Sequence, residues 1–175
     1  MNDETRRAQF ETLYSQHAGR VYRFALRLSG NREDAEDLAA ETLAEAFRTL
    51  DKYRGESTHI SWLYAIVMNR WKMLRRKRRV PVDPIQAAEE VAGTFQFQDL
   101  ALGHAIQSLP RNLREAFLLV KSEGFTHAEA AKIVRVPVGT MYFRVHAAIR
   151  KLRSDLMPNV SAKLATIEVT CDKEV

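Results

Sequence analysis

The side chains with the clearest chemical purpose lie near the end of the chain. In Phe125-Thr126-His127-Ala128-Glu129-Ala130-Ala131-Lys132-Ile133, Thr126 and Glu129 stand at the T-x-x-E spacing of a helix capping box. Val136-Pro137-Val138-Gly139-Thr140 follows, and then a periodic run through Arg153. This reads as a helix, a tight turn and a second, basic helix. In the second helix Met141, Val145, Ala148, Ile149, Leu152 and Leu156 recur at three- and four-residue steps and form an inward stripe. Thr140, Tyr142, Phe143, Arg144, His146, Ala147, Arg150 and Lys151 are left on the outer face or its flanks. Such a helix suits duplex DNA: side chains near its start reach base edges, and cations along it take phosphates. An ordinary helical hairpin packed into a core has the same pattern.

A second group is Arg70-Trp71-Lys72-Met73-Leu74-Arg75-Arg76-Lys77-Arg78-Arg79. So many cations at one helix end repel one another unless an anion is near. They fit a phosphate-tracking face, or a solvated helix end favoured by the negative pole of the dipole. Tyr53, Trp62, Tyr64 and Trp71 lie close by and suit stacking on unpaired bases, although Trp62 also falls on the apolar stripe of its helix. A third group is acidic. Asp34, Glu36, Asp37, Glu41 and Glu45, with Arg48, lie on the faces away from the stripe Ala35, Leu38, Ala39, Thr42, Leu43, Ala46, Phe47, Leu50. A basic partner or plain solvent would satisfy them.

Covalent and metal chemistry find no footing. The histidines at 17, 59, 104, 127 and 146 show no H-x-x-x-H or H-E-x-x-H spacing, and no phosphate loop or nucleophile elbow is present. Asp37 and Glu41 alone make a poor cation cage. The sequence therefore predicts a non-enzyme without cofactor or metal. The single cysteine, Cys171, excludes an intramolecular disulfide and fits a reducing compartment. The start, MNDETRRAQFETLY, lacks a signal-peptide core, and the longest apolar run, Trp62 to Met68, is too short to span a bilayer, so no membrane insertion and a cytoplasmic location are expected.

The 175 residues, 46% hydrophobic and 28% charged, suffice for one or two small domains. The net charge is +5, which favours polyanions without naming one. No strand-like alternation appears, and an all-α fold is expected: two small helical domains joined by a flexible linker, the second holding the helix-turn-helix. The first domain spans 8–79. Phe10, Leu13, Tyr14, His17, Val21, Phe24, Ala25 and Leu28 make one long helix, ended by Gly30; Asn31 caps the next; a third begins near Ser61. Residues 80–103, broken by Pro81, Pro84 and Gly93 and devoid of Lys and Arg, read as an acidic linker. The second domain spans 104–157, and 158–175 is a tail.

The order of these parts resembles a bacterial RNA polymerase sigma factor of the extracytoplasmic-function type. Ala35-Glu36-Asp37-Leu38-Ala39-Ala40-Glu41-Thr42 is similar to that family's core-binding helix. Tyr53-Arg54-Gly55-Glu56-Ser57 and Trp62-Leu63-Tyr64-Ala65-Ile66, with Asn69, resemble its promoter −10 segment. Leu109-Pro110-Arg111-Asn112-Leu113-Arg114-Glu115-Ala116 opens the second domain in the family's manner, and the helix-turn-helix falls where the family reads the −35 element.

The resemblance implies docking on the polymerase clamp through Asp34, Asp37, Leu38, Glu41, Thr42 and Glu45. It implies capture of the −10 strand and a flipped base by Lys52, Arg54, Ser57, His59, Ser61, Trp62, Asn69, Arg70, Lys72, Arg75 and Arg76. It implies −35 reading by Arg135, Thr140, Tyr142, Phe143, Arg144, His146 and Arg150, with contact to the polymerase flap and control by an anti-sigma factor. A stand-alone helix-turn-helix regulator is the alternative.

Some positions depart from the family pattern. Ala40 replaces a polar residue, Met73 an acidic one, and Arg135 the usual turn glycine. Tyr142, Phe143 and Ala147 stand where Lys, Ser and Arg are usual. Tyr142 and Phe143 suit apolar contact with thymine methyls, or packing against polymerase or an anti-sigma factor.

Overall fold

A computed structural model describes residues 3–77 and 100–156 of the chain. Most of the expected 80–103 linker, Arg78 and Arg79 of the basic run, and the tail with Cys171 lie outside the described residues. The described elements are helical: α1 (Asp3–Ser29), α2 (Arg32–Thr49), a single 3₁₀ turn (Leu50–Lys52), α3 (His59–Lys77), α4 (Leu100–Ser108), α5 (Arg111–Phe117), α6 (His127–Val134) and α7 (Val138–Leu156).

Local chemistry sets the boundaries. Gly30 ends α1 with φ +78°, a left-handed conformation that favours glycine, and its N–H reaches the Leu26 carbonyl at 2.8 Å. Asn31 then starts α2: its side-chain oxygen accepts from the Asp34 N–H at 2.8 Å, and its amide donates to the Asp34 carboxylate at 2.9 Å. Asp34 is thereby turned inward and buried, whereas the sequence placed it on an outer face. The Thr58 hydroxyl accepts from the Ser61 N–H at 3.3 Å, so α3 begins at His59, two residues before the expected start. Ser61 is buried against Thr58 in this cap.

In the second half, α4 begins at Leu100, within the expected linker. The helix that starts at Arg111 continues past Phe117 as a π-wound turn over Leu118–Ser122, and the Glu123 N–H reaches back to the Leu118 carbonyl at 2.9 Å. This wide turn points Ser122 and Glu123 at the first half. The Thr126–Glu129 capping box forms as predicted and opens α6.

One apolar cluster runs through both halves. Phe24 stacks on Tyr64 at 4.3 Å, and Tyr64 meets Phe125 edge-on at 5.5 Å, so an aromatic column crosses from α1 through α3 to the loop before α6. The crossing is also polar. The last carbonyls of α1 have no intrahelical partner, and the second half supplies donors: Gln107 to the Arg27 carbonyl at 2.8 Å and Arg114 to the Leu28 carbonyl at 3.3 Å. Burial lowers the Arg114 guanidinium from its ordinary value to about 10.

Candidate nucleic-acid and polymerase interfaces

Three surfaces collect the predicted site residues. The first is the outer face of α2. Asp37 and Glu41 stand one helical turn apart and are exposed. Leu38 and Thr42 are fully buried, because the apolar stripe that packs α2 against α1 and α3 runs through both. They support this surface from beneath and do not form it. Glu45 is half-buried and accepts from Arg70 of α3 at 2.7 Å, which locks α2 to α3.

The second surface is the loop between α2 and α3. Lys52, Arg54, Ser57 and His59 are exposed around it. Tyr53 is its hub: its ring lies 4.7 Å from His59 and 5.1 Å from Trp62, and its hydroxyl donates to the Ser57 carbonyl. Trp62 is half-buried in this cluster. Tyr64 and Trp71, also considered for stacking, belong to the core. A cleft of about 660 Å³ opens beside the loop, between α1 (Gln9, Gln16) and Tyr53, Arg54 and His59, a size typical of ligand clefts. His17 borders this region. Its ring lies 6.3 Å from His59, and burial first, then the neighbouring His59 and Arg20, hold its pKa below the ordinary value.

The cations of α3 are largely engaged within the chain. Besides Arg70 on Glu45, Lys72 donates to the Val134 carbonyl of α6 at 3.4 Å, and Arg75 lies 3.5 Å from buried Glu115 of α5. Burial raises the Glu115 carboxyl above its usual range, opposed by Lys72 and three arginines. Asn69 and Arg76 are exposed. Nothing in the local sequence indicates that Lys72 and Arg75 face the second half of the molecule.

The third surface is α7 with the turn before it. Met141, Val145, Ala148 and Leu152 are buried as expected, Ile149 is half-buried, and Leu156 at the end is exposed. Tyr142, Phe143, His146 and Arg150 are exposed, with Thr140 and Arg144 half-exposed beside them. Arg135 ends α6 with φ +60° and ψ +58°, so the turn does require the left-handed conformation. Tyr142 is stacked on His127, with ring centroids 3.9 Å apart and 7° between planes.

Among the described residues every element is helical, with an aromatic loop between α2 and α3 upstream and a helix-turn-helix downstream, a layout that fits a two-part DNA-binding protein. Comparison with known proteins assigns the family. Residues 13–80 match the Sigma-70 region 2 model, and residues 99–152 match the Sigma-70, region 4 model. The chain is 36% identical over 137 residues to the ECF RNA polymerase sigma factor EcfG of Rhodopseudomonas palustris, covering 74% of this chain and 75% of that protein. It is 34% identical over 170 residues to the ECF RNA polymerase sigma factor SigE of Mycolicibacterium smegmatis, covering 91% of this chain and 66% of that protein. Its fold matches the sigma factor RpoE solved with the anti-sigma factor NepR from Bartonella quintana, with a TM-score of 0.70 and 27% identity over 86% of this chain and 98% of that one. The chain belongs to the sigma-70 family, in its extracytoplasmic-function branch. The region 4 match begins at residue 99, in agreement with the start of α4 at Leu100 and earlier than the boundary expected at 104.

Proposed function

We propose that this chain binds core RNA polymerase in the cytoplasm and directs it to a subset of promoters, acting by binding alone. The observation that carries the reading is the pairing, in one chain and in family order, of a region 2 unit with an exposed acidic helix face and a region 4 unit with an exposed helix-turn-helix. Asp37 and Glu41 face the polymerase clamp. Tyr53, His59 and Trp62 line the seat of an unstacked −10 base, with Lys52, Arg54 and Arg76 on the strand phosphates. Extruding a base costs a few kcal/mol, and stacking worth about 1–3 kcal/mol per base offsets it. Region 4 contacts the flap and reads the −35 element with α7. An anti-sigma factor is the expected negative regulator, by analogy with the relative solved with such a partner.

The test is co-elution with core polymerase of the wild-type chain and of a variant carrying Asp37→Lys and Glu41→Lys. The proposal expects a stable complex for the wild type and its loss in the variant, with the helical content unchanged. A wild type that binds promoter duplex but never core polymerase would leave the stand-alone regulator as the better reading.

A further inference from the structure

Val138, Tyr142 and Phe143 are all exposed within the first two turns of α7, a helix that its family position assigns to DNA. Phe143, at 69% exposure, is the most exposed large apolar side chain among the described residues, and Tyr142 is 57% exposed. Single exposed apolar groups are ordinary; a cluster at the start of one helix points to a partner. The partner's chemistry follows from the surroundings. Arg135, Arg144, His146 and Arg150 border the patch, so the partner presents an apolar group among anions. Gly139 lies one turn before Phe143 on the same face, and a Cβ built there meets nothing within 4 Å. No internal contact therefore requires glycine, which weakens a helix by about 1 kcal/mol relative to alanine. Its bare backbone leaves room for close approach from outside. Among base edges in the major groove, only thymine carries an apolar group, its 5-methyl, and phosphates flank it on both sides.

We propose that Phe143 is a specificity-determining residue that reads thymine 5-methyl groups in the −35 element, with Tyr142 held by its stack on His127 as the second wall of the contact. The inference rests on α7 entering the major groove of that element. It makes methyl contact the chief source of base preference here, where a polar side chain at position 143 would read hydrogen-bonding edges.

The test uses holoenzyme assembled from core polymerase and the full chain, on a −35 element obtained by selection from randomised duplex. Each thymine of the element is replaced singly by deoxyuridine, which lacks only the methyl. The expected result is about fourfold weaker binding at one or two positions, the factor that burial of one methyl-sized group gives. Phe143→Ser is expected to bind thymine and deoxyuridine elements equally. Indifference of the wild type to every methyl, or unchanged discrimination in Phe143→Ser, overturns the inference. So does a Phe143→Ser variant whose only defect is assembly with core polymerase, because the patch then faces protein. Scrambling the whole −35 element separates the two levels: if scrambling has no effect, α7 does not read this element at all; if it weakens binding while methyl removal does not, only the role of Phe143 fails.

Discussion

Glu123, at the end of the π-wound turn, accepts a hydrogen bond from Arg27 of α1 at 2.8 Å, with both side chains withdrawn from solvent. The same carboxylate accepts from the Tyr64 hydroxyl of α3 at 2.6 Å and from Arg20 at 3.2 Å. One acidic side chain of region 4 thus binds three donors of region 2. Burial lowers the Arg27 guanidinium from its ordinary value, and Glu123 acts against that shift. Burial and the adjacent carboxylate raise the Tyr64 phenol, so it stays a donor. This contact holds a closed form in which α3 and α6 touch. On the proposed function, −35 and −10 elements about 25 base pairs apart lie about 85 Å apart along B-form DNA, so gripping both requires the halves to separate.

Glu123→Gln keeps the shape of the contact and removes its charge. Arg27 then loses the charge of Glu123 while staying buried, and breaking a buried pair in this way costs about 3 kcal/mol. The expected outcome is a population with separated halves. A donor–acceptor dye pair at Glu11 and Arg153, both exposed, reports it as a fall in transfer efficiency, and chemical denaturation reports an earlier first transition. Unchanged transfer would show that the apolar column of Phe24, Tyr64 and Phe125 holds the halves closed without the carboxylate.

Arg135→Gly should stabilise region 4. Arg135 is the one non-glycine residue with positive φ among the described residues, and the Val136 N–H closes the turn on the Ala131 carbonyl at 3.0 Å. Glycine removes a strain of about 1 kcal/mol there, which raises Tm by roughly 2–4 °C for a chain of this size. The same change deletes a cation beside α7. The slope of log affinity against log salt for −35 duplex should fall by about one, the value of one phosphate contact. A higher Tm with an unaltered slope would place Arg135 away from the phosphates.

Much of this architecture was legible because it is encoded locally. Gly30 and Asn31 mark the α1–α2 boundary by backbone conformation and a side-chain cap, and Thr126 with Glu129 marks the start of α6; all three signals lie within four residues. The stripe of Met141, Val145, Ala148 and Leu152 follows from helical period alone. Contacts set by packing between distant segments were not legible. Nothing near Glu123 in the sequence indicates Arg27 or Tyr64, which are 96 and 59 residues away. Asp34 read as an outward acid because its role as the partner of Asn31 turns it in. Leu38 and Thr42 were assigned to a docking surface by resemblance, while the stripe they belong to buries them. Leu100 to Gly103 were absorbed into a linker, since four residues are too few to show a period.

Acidification should weaken region 2 through His17. Its pKa is lowered in the folded chain below the ordinary value of 6.5, so the unfolded chain binds the proton more readily. The stability associated with neutral His17 is fully present above pH 6.5 and is lost as pH falls through the lowered folded value. Melting curves between pH 7.5 and 5 should show Tm falling, and His17→Gln should flatten that dependence. An equal fall in the variant would assign the effect to other groups.

Single-round transcription with purified core polymerase tests the account at its centre. The template carries a promoter selected by this chain, with variants scrambled at the −10 or the −35 element. The account predicts specific transcripts only when the chain is present, with a strong loss on scrambling either element and on Asp37→Lys with Glu41→Lys. Specific binding to the same duplex without any core-dependent transcript would contradict it.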